Sequence, residues 1–214
     1  MKANFSSDSG YLFAALTVLI WSGFVVVSRM GSTGTLTPYD ISALRLGTAA
    51  LVLAPWWLPR LLIPERRQLQ WYQGLSLALL AGITYPLASY IGFQYAPASH
   101  GAVLISGMLP FFTSIFASRL LGERPSRIRF LGLTLILTGV LTLLFTQMNV
   151  QSFGQSTLKG DLLLLAASCF WSLFTVLIKY WRLKAFDVSL GVTAISAMMY
   201  LPVFFLFLPS HLAI

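Results

Sequence analysis

The sequence predicts an all-α integral membrane protein, a polytopic helix bundle of seven transmembrane helices, and three observations carry that prediction. Of its 214 residues 57% are hydrophobic and 9% charged, whereas soluble domains carry about a quarter charged residues. So few charges cannot cover the surface of a water-soluble domain that must also hide 16 Phe and 6 Trp. The charges also fall in short clusters, leaving uncharged intervals long enough for helices of about 20 residues, the length that crosses the hydrocarbon core. Intrinsic disorder is excluded by the same composition.

The spans follow from those intervals, because lipid offers no partner to an unpaired backbone group. Residues 11–28 form the first, ended by Arg29, and residues 41–58 the second, interrupted only by Arg45. The first is read as a retained span and not a secretory signal: it exceeds a typical apolar core, and no small-residue cleavage site follows Met30. From Gln68 to Ser118 there is no Asp, Glu, Lys or Arg in 51 residues, so this stretch holds two spans. Tyr95-Ala96-Pro97-Ala98-Ser99 marks the turn between them, giving 71–94 and 99–118. Three more spans follow at 130–145, 162–178 and 188–207.

Orientation comes from Lys and Arg. With the N-terminus cytoplasmic, eleven of them, at position 2 and in clusters at 60–67, 119–129 and 179–184, lie on the cytoplasmic side, and only Arg29 and Lys159 on the other. The positive-inside rule then makes the chain a multi-pass protein with its N-terminus in the cytoplasm. The net charge of +8 is a topology signal, and nucleic acid, which would require a basic face on a soluble module, is not an expected partner. Cys169 is the single cysteine, allows no internal disulfide, and reads as a small buried side chain.

An internal repeat is visible. Laying 10–30 over 160–180 without a gap pairs Gly10 with Gly160, Trp21-Ser22 with Trp171-Ser172, Phe24 with Phe174 and Arg29 with Lys179. After a three-residue contraction, Asp40, Ser42 and Pro55 meet Asp187, Ser189 and Pro202. Five spans separate the copies, and an odd number inverts the second. Inverted repeats are a recurrent plan of secondary transporters, since two similar bundles of opposite orientation can open one central site alternately to each side. Residues 10–145 are thus a first five-helix unit and 160–214 the first two helices of a second, whose remaining spans would begin after about residue 218. The expectation is a truncated version of a ten-span protein of about 300 residues.

Further residues carry a resemblance. Tyr95-Ala96-Pro97-Ala98, Pro110, Leu121-Gly122-Glu123-Arg124-Pro125, Gly132 and Gly139-Val140, in that order, with Trp21-Ser22 and Arg45 before them, resemble the EamA-type branch of the drug/metabolite transporter superfamily. The resemblance implies ten helices in two inverted five-helix repeats, a central cavity, and movement of small metabolites, often amino acids or related compounds, across the cytoplasmic (inner) membrane. Three of those helices are missing here, which makes the chain an expected candidate for losing autonomous transport.

Candidate substrate-binding residues are Trp21, Ser22, Arg45, Tyr85, Tyr90, Pro110 and Trp171. A guanidinium within a span costs about 2.5–3.5 kcal/mol on insertion scales and faces protein or a water-filled cavity. Arg45 therefore reads either as an anchor for a substrate carboxylate or gate ion pair, or as a structural side chain that snorkels or pairs with Asp40. Trp21 and Trp171 lie at mid-span, away from the interfacial belts, and either line a cavity or pack. Ser22 and Ser172 either face substrate or bond back to their own helix. Pro86 and Pro110 interrupt helix hydrogen bonding and bend the third and fourth spans, with Tyr85, Ser89 and Tyr90 flanking the first. His100 reads as a solvated or interfacial residue near the outer turn. Gly132 and Gly139 read as a close-contact face on the fifth helix, and Glu123 as a brace between adjoining helices.

Enzyme chemistry finds little support, since apart from Arg45 no acid or base is embedded in a predicted span. Metal-ligand spacings and phosphate-binding glycine loops are also missing from the sequence, so no cofactor is expected. The leading expectation is a secondary carrier; the other is a non-transporting membrane subunit or scaffold. Expected partners are the lipid bilayer, a small-molecule substrate, and either a second copy or helices that complement the bundle.

Overall fold

The computed structural model describes residues 7–62, 69–123, 125–148 and 155–210. Lys2, Arg66, Arg67 and Arg124, which enter the orientation and motif arguments, lie outside the described residues. Seven long helices follow one another among the described ones: α1 (Ser7–Ser32), α2 (Pro38–Leu62), α3 (Trp71–Tyr95), α4 (Ala98–Leu120), α5 (Arg127–Met148), α6 (Gln155–Tyr180) and α7 (Ala185–Phe207). Six of these are long and apolar enough to cross a membrane, and α5, 22 residues long, covers the predicted fifth span. The protein is an all-α polytopic membrane bundle.

The prolines shape the helices as elementary geometry requires. A proline inside a helix removes one N–H and crowds the preceding turn. In α3 the turns before Pro86 widen into a π-helical stretch, Ala78–Thr84, where the Tyr85 N–H donates to the Leu80 carbonyl, five residues back. In α4 a second such stretch, Ala102–Gly107, precedes Pro110. These wide turns absorb the proline without ending the helix. Pro55 in α2 and Pro202 in α7, the pair matched in the repeat, both lie inside helices. Near Pro55 the Trp57 indole donates to the Ala50 carbonyl at 2.8 Å.

Capping fixes the start of α2. The Thr37 backbone and hydroxyl both donate to the Asp40 carboxylate at 2.8 Å, and the Asp40 N–H donates to the Thr37 hydroxyl at 3.1 Å, a reciprocal arrangement that satisfies otherwise orphaned donors. At the end of α4, Gly122 takes a φ of +68°, a left-handed turn that any other residue would enter under strain.

Helix α7 runs antiparallel to α2: Arg60 near the end of α2 faces Asp187 in the first turn of α7 at 3.5 Å, while the Tyr200 hydroxyl donates to the Tyr39 carbonyl at 3.1 Å at the other end. Helix α6 packs antiparallel to α3 and parallel to α4. At the α3 contact the backbones approach closely, because a Cβ on Gly160 would lie 2.7 Å from the Ala96 nitrogen and 2.8 Å from the Gly92 carbonyl. Small residues permit such approach where helices associate by packing and not by exclusion from water. Phe93, Leu104, Ile105 and Leu164 form the buried centre of this α3–α4–α6 unit.

Two expectations are corrected. Gly132 and Gly139 do not mark a close helix contact, since a Cβ at either would meet nothing within 4 Å among the described residues; the glycines that seat helices include Gly92 and Gly160 between α3 and α6, and Gly74 and Gly82 between α3 and α7. His100 is not solvated or interfacial. It is fully buried, because the turn after Tyr95 points it at α6.

Candidate functional site

Four helices bring aromatic and cationic side chains to one place. Trp21 of α1 and Trp171 of α6 meet edge to face, with ring centroids 5.6 Å apart and planes at 77°, the geometry favoured by the ring quadrupoles. Tyr85 of α3 approaches Trp171 with a centroid distance of 4.7 Å. Arg45 of α2 joins Trp21, Phe24, Tyr85 and Trp171 around a cavity of about 160 Å³. A second cavity, of about 660 Å³, shares Trp21 and Trp171 and continues between α1 and α4 along Thr17, Ser22, Ser99 and Ser106.

The local reasons are periodic. Thr17, Trp21 and Phe24 recur at helical spacing on one face of α1. On α4, Ala102, Ser106 and Leu109 face the larger cavity, while Gly101, Leu104, Ile105 and Met108 turn into the core. Tyr90 sits one layer behind: its ring centroid is 6.3 Å from that of Phe24 and its hydroxyl interacts with Arg45. Asp40 is occupied with Thr37 and with the Ser210 hydroxyl, which donates at 2.7 Å. Arg45 lies toward the two tyrosines instead.

The structure therefore assembles Trp21, Ser22, Arg45, Tyr85 and Trp171 around two cavities that share the Trp21 and Trp171 rings, with Tyr90 supporting. Ser22 lines the larger cavity while its hydroxyl donates to the Val18 carbonyl at 2.8 Å. Pro110 lines neither of the two cavities; its place is in the α4 backbone. It has no N–H to return to the preceding turn, and the Ile105 carbonyl accepts from the Ser168 hydroxyl of α6 at 2.8 Å. Ser172 donates to the Leu109 carbonyl at 3.2 Å in the same way.

Sequence reasoning did not single out Phe24 as a lining residue, although its match with Phe174 in the repeat was a usable signal: Phe174 lies 5.1 Å from Trp171. It also missed Asp161, which is fully buried and 2.7 Å from His100. A polar residue so near a predicted span end looks solvated until the neighbouring helix is placed. Glu123 does brace helices, through an ion pair with Lys179 of α6. That hydrogen bond holds its carboxyl below the usual range.

The bundle thus gathers two indoles, one phenol and the exposed guanidinium of Arg45 around half-open cavities between its helices, side chains that are costly to leave facing lipid. In comparison with known proteins, residues 8–145 match the EamA-like transporter family, and the chain belongs to that family. It is also 28% identical over 170 residues to an uncharacterized transporter of Archaeoglobus fulgidus, an alignment covering 78% of this chain and 56% of the relative. The chain thus spans about half the length of that curated relative.

Proposed function

We propose that the chain is part of a secondary transporter that moves small metabolites, amino acids or related compounds, across the cytoplasmic membrane by alternating access. The observation that carries this reading is the meeting of Trp21 and Trp171 beside Arg45: the two matched Trp-Ser sites of α1 and α6 form one cavity wall. Arg45 anchors a substrate carboxylate by charge-assisted hydrogen bonds, and the indole and phenol faces receive the cationic or apolar remainder of the molecule. No step of this reading makes or breaks a covalent bond, so it assigns no catalysis.

Alternating access follows from the inverted repeat, which the antiparallel pairing of α2 and α7 supports. Rocking of one repeat against the other opens the cavity to each side in turn. By the charge distribution the N-terminus lies in the cytoplasm, and the α3–α4 turn faces outward. Exposure of α1 favours one alternative, since only 6% of the residues in its apolar window are buried. In that reading the chain is a membrane subunit whose cavity is closed by further helices, from a second copy, from a partner or from a longer version of itself.

Counterflow in proteoliposomes tests the proposal. The chain, alone and extended by three further spans, is loaded with a mixture of the twenty protein amino acids and offered each in labelled form. Exchange of at least one by the shorter chain is expected. Exchange by the extended version alone selects the subunit reading, and exchange by neither overturns the assignment.

A further inference from the structure

Away from the cavity wall, α4 and α6 are joined by a parallel row of polar contacts. Asp161, Ser168, Ser172 and Lys179 descend one stripe of α6 and meet His100, the Ile105 and Leu109 carbonyls, and Glu123. The two hydroxyl contacts do not titrate near neutral pH, and the Glu123–Lys179 pair is exposed. The first contact differs from all of these. His100 Nδ1 lies 2.7 Å from Asp161 Oδ1, and the two side chains are 1% and 2% exposed. Their remaining atoms, His100 Nε2 and Asp161 Oδ2, are buried and have no hydrogen-bond partner among the described residues.

We propose that His100 and Asp161 form a proton-binding site in the α4–α6 seam, and that its loading couples substrate movement to a proton gradient. This rests on the transport reading above and names its coupling ion. With one proton, on Nδ1, the pair is a neutral imidazole beside a carboxylate and carries one buried negative charge, and Nε2 is an acceptor. A second proton gives imidazolium beside carboxylate, no net charge, and an Nε2–H donor. An uncompensated charge between packed helices is costly, whereas the neutralised pair is tolerated. Proton loading therefore closes the seam at this end and proton release opens it to water. A ligand with such a difference in affinity shifts the equilibrium between the two conformations.

Lys159 on α6 and Tyr95 on α3 are the nearest ionisable residues in the chain, and both are exposed. Among the described residues the side-chain hydrogen bond and ion pair of His100 and Asp161 join them to each other. The site also adjoins the transport path: His100 follows Ala98 and Ser99, which line the larger cavity.

Two measurements on the reconstituted chain decide the matter. In the first, labelled amino acids are followed by counterflow at equal pH and by accumulation driven by a pH gradient, for the chain and for D161N and H100Q. The expected result is gradient-driven accumulation that falls by about tenfold or more in both variants, while they still exchange at equal pH. Accumulation that survives in the variants, or a parent chain that exchanges but ignores the gradient, overturns the proposal. A chain that exchanges nothing overturns the transport reading, and with it the coupling, but leaves the proton site to the second measurement. There, H211Q makes His100 the sole histidine, and its ¹⁵N ring resonances are followed from about pH 5 to 8, with and without D161N. They are expected to titrate and to respond to loss of the carboxylate. Resonances that ignore pH, or that titrate identically in both proteins, overturn the site whether or not any variant transports.

Discussion

Helices α1 and α6 carry the same Gly, Trp-Ser and Phe at the same spacing, yet the bundle treats them differently. In α6, Gly160 is pressed against the α3 backbone, Ser172 is fully buried and donates to α4, and Lys179 is paired with Glu123. Among the described residues of α1 and its neighbours, a Cβ on the matching Gly10 would meet nothing within 4 Å, Ser22 bonds back to its own helix, and the Arg29 Nη1 is buried without a hydrogen-bond partner. The share of buried residues in their apolar windows is 33% for α6 and 6% for α1. Two nearly matched helices thus differ in what their side chains do because α3 and α4 clasp one of them, while the other touches the bundle along a single edge. Only at Trp21 and Trp171 do the two meet on equal terms, and that is where the cavity lies.

The comparison is sharpest at its glycines. Gly160→Val should lower stability by about 1–3 kcal/mol, because the new side chain has to displace Ala96 and the Gly92 carbonyl. Gly10→Val should change it by less than about 0.5 kcal/mol. Thermal unfolding of both variants in one detergent measures the difference, and equal losses would break the contrast between the helices.

The cavity offers the next effect. Arg45→Gln removes the charged anchor and should weaken substrate affinity about 10- to 100-fold, the worth of a hydrogen bond to a charged group. Its counterpart in the repeat, Val192, carries no charge, so Val192→Ala should leave affinity within about twofold. Concentration dependence of counterflow separates the two, and a matched loss at both positions would make the site symmetric.

Smaller still is the hydroxyl pair. Ser172→Ala leaves the Leu109 carbonyl without its α6 donor and should cost about 1 kcal/mol. For Ser22→Ala the expected change in stability is close to zero, since its bond stays within one helix turn. Chemical denaturation of the two variants side by side checks the pair.

The smallest effect depends on pH. Lys179 holds the Glu123 carboxyl below its ordinary value. A depressed folded-state value means that the contribution is present at neutral pH, where folded and unfolded carboxyls are both ionised. It is lost as pH falls below about 4.5 and through the folded value. Because the pair is exposed, the gain is small. The difference in unfolding temperature between the parent chain and Glu123→Gln should therefore shrink on acidification from pH 7, and a difference that grows would reverse the assignment.

Much of this was legible in the chain itself. Uncharged intervals marked the helices, and the Pro86 and Pro110 positions announced a departure from regular helix hydrogen bonding, realised as two π-helical stretches. Trp21, Arg45, Tyr85 and Trp171 were readable as a group because indoles and a guanidinium at mid-span have poor alternatives in lipid. Gly132 and Gly139 misled, since glycine spacing shows where an approach is allowed and not whether a neighbour arrives. His100 and Asp161, 61 residues apart, gave no local sign of each other.

What the sequence by itself determined is the solvent and the elements: a lipid-embedded set of apolar helices, their order, and an internal likeness between the first and sixth. The tertiary structure alone decided which copy of each matched residue is clasped, which serine leaves its own helix, and where a buried acid finds its base. The physical reason is that hydropathy and proline act within one helix, whereas burial and hydrogen-bond partners depend on which helices come to lie side by side.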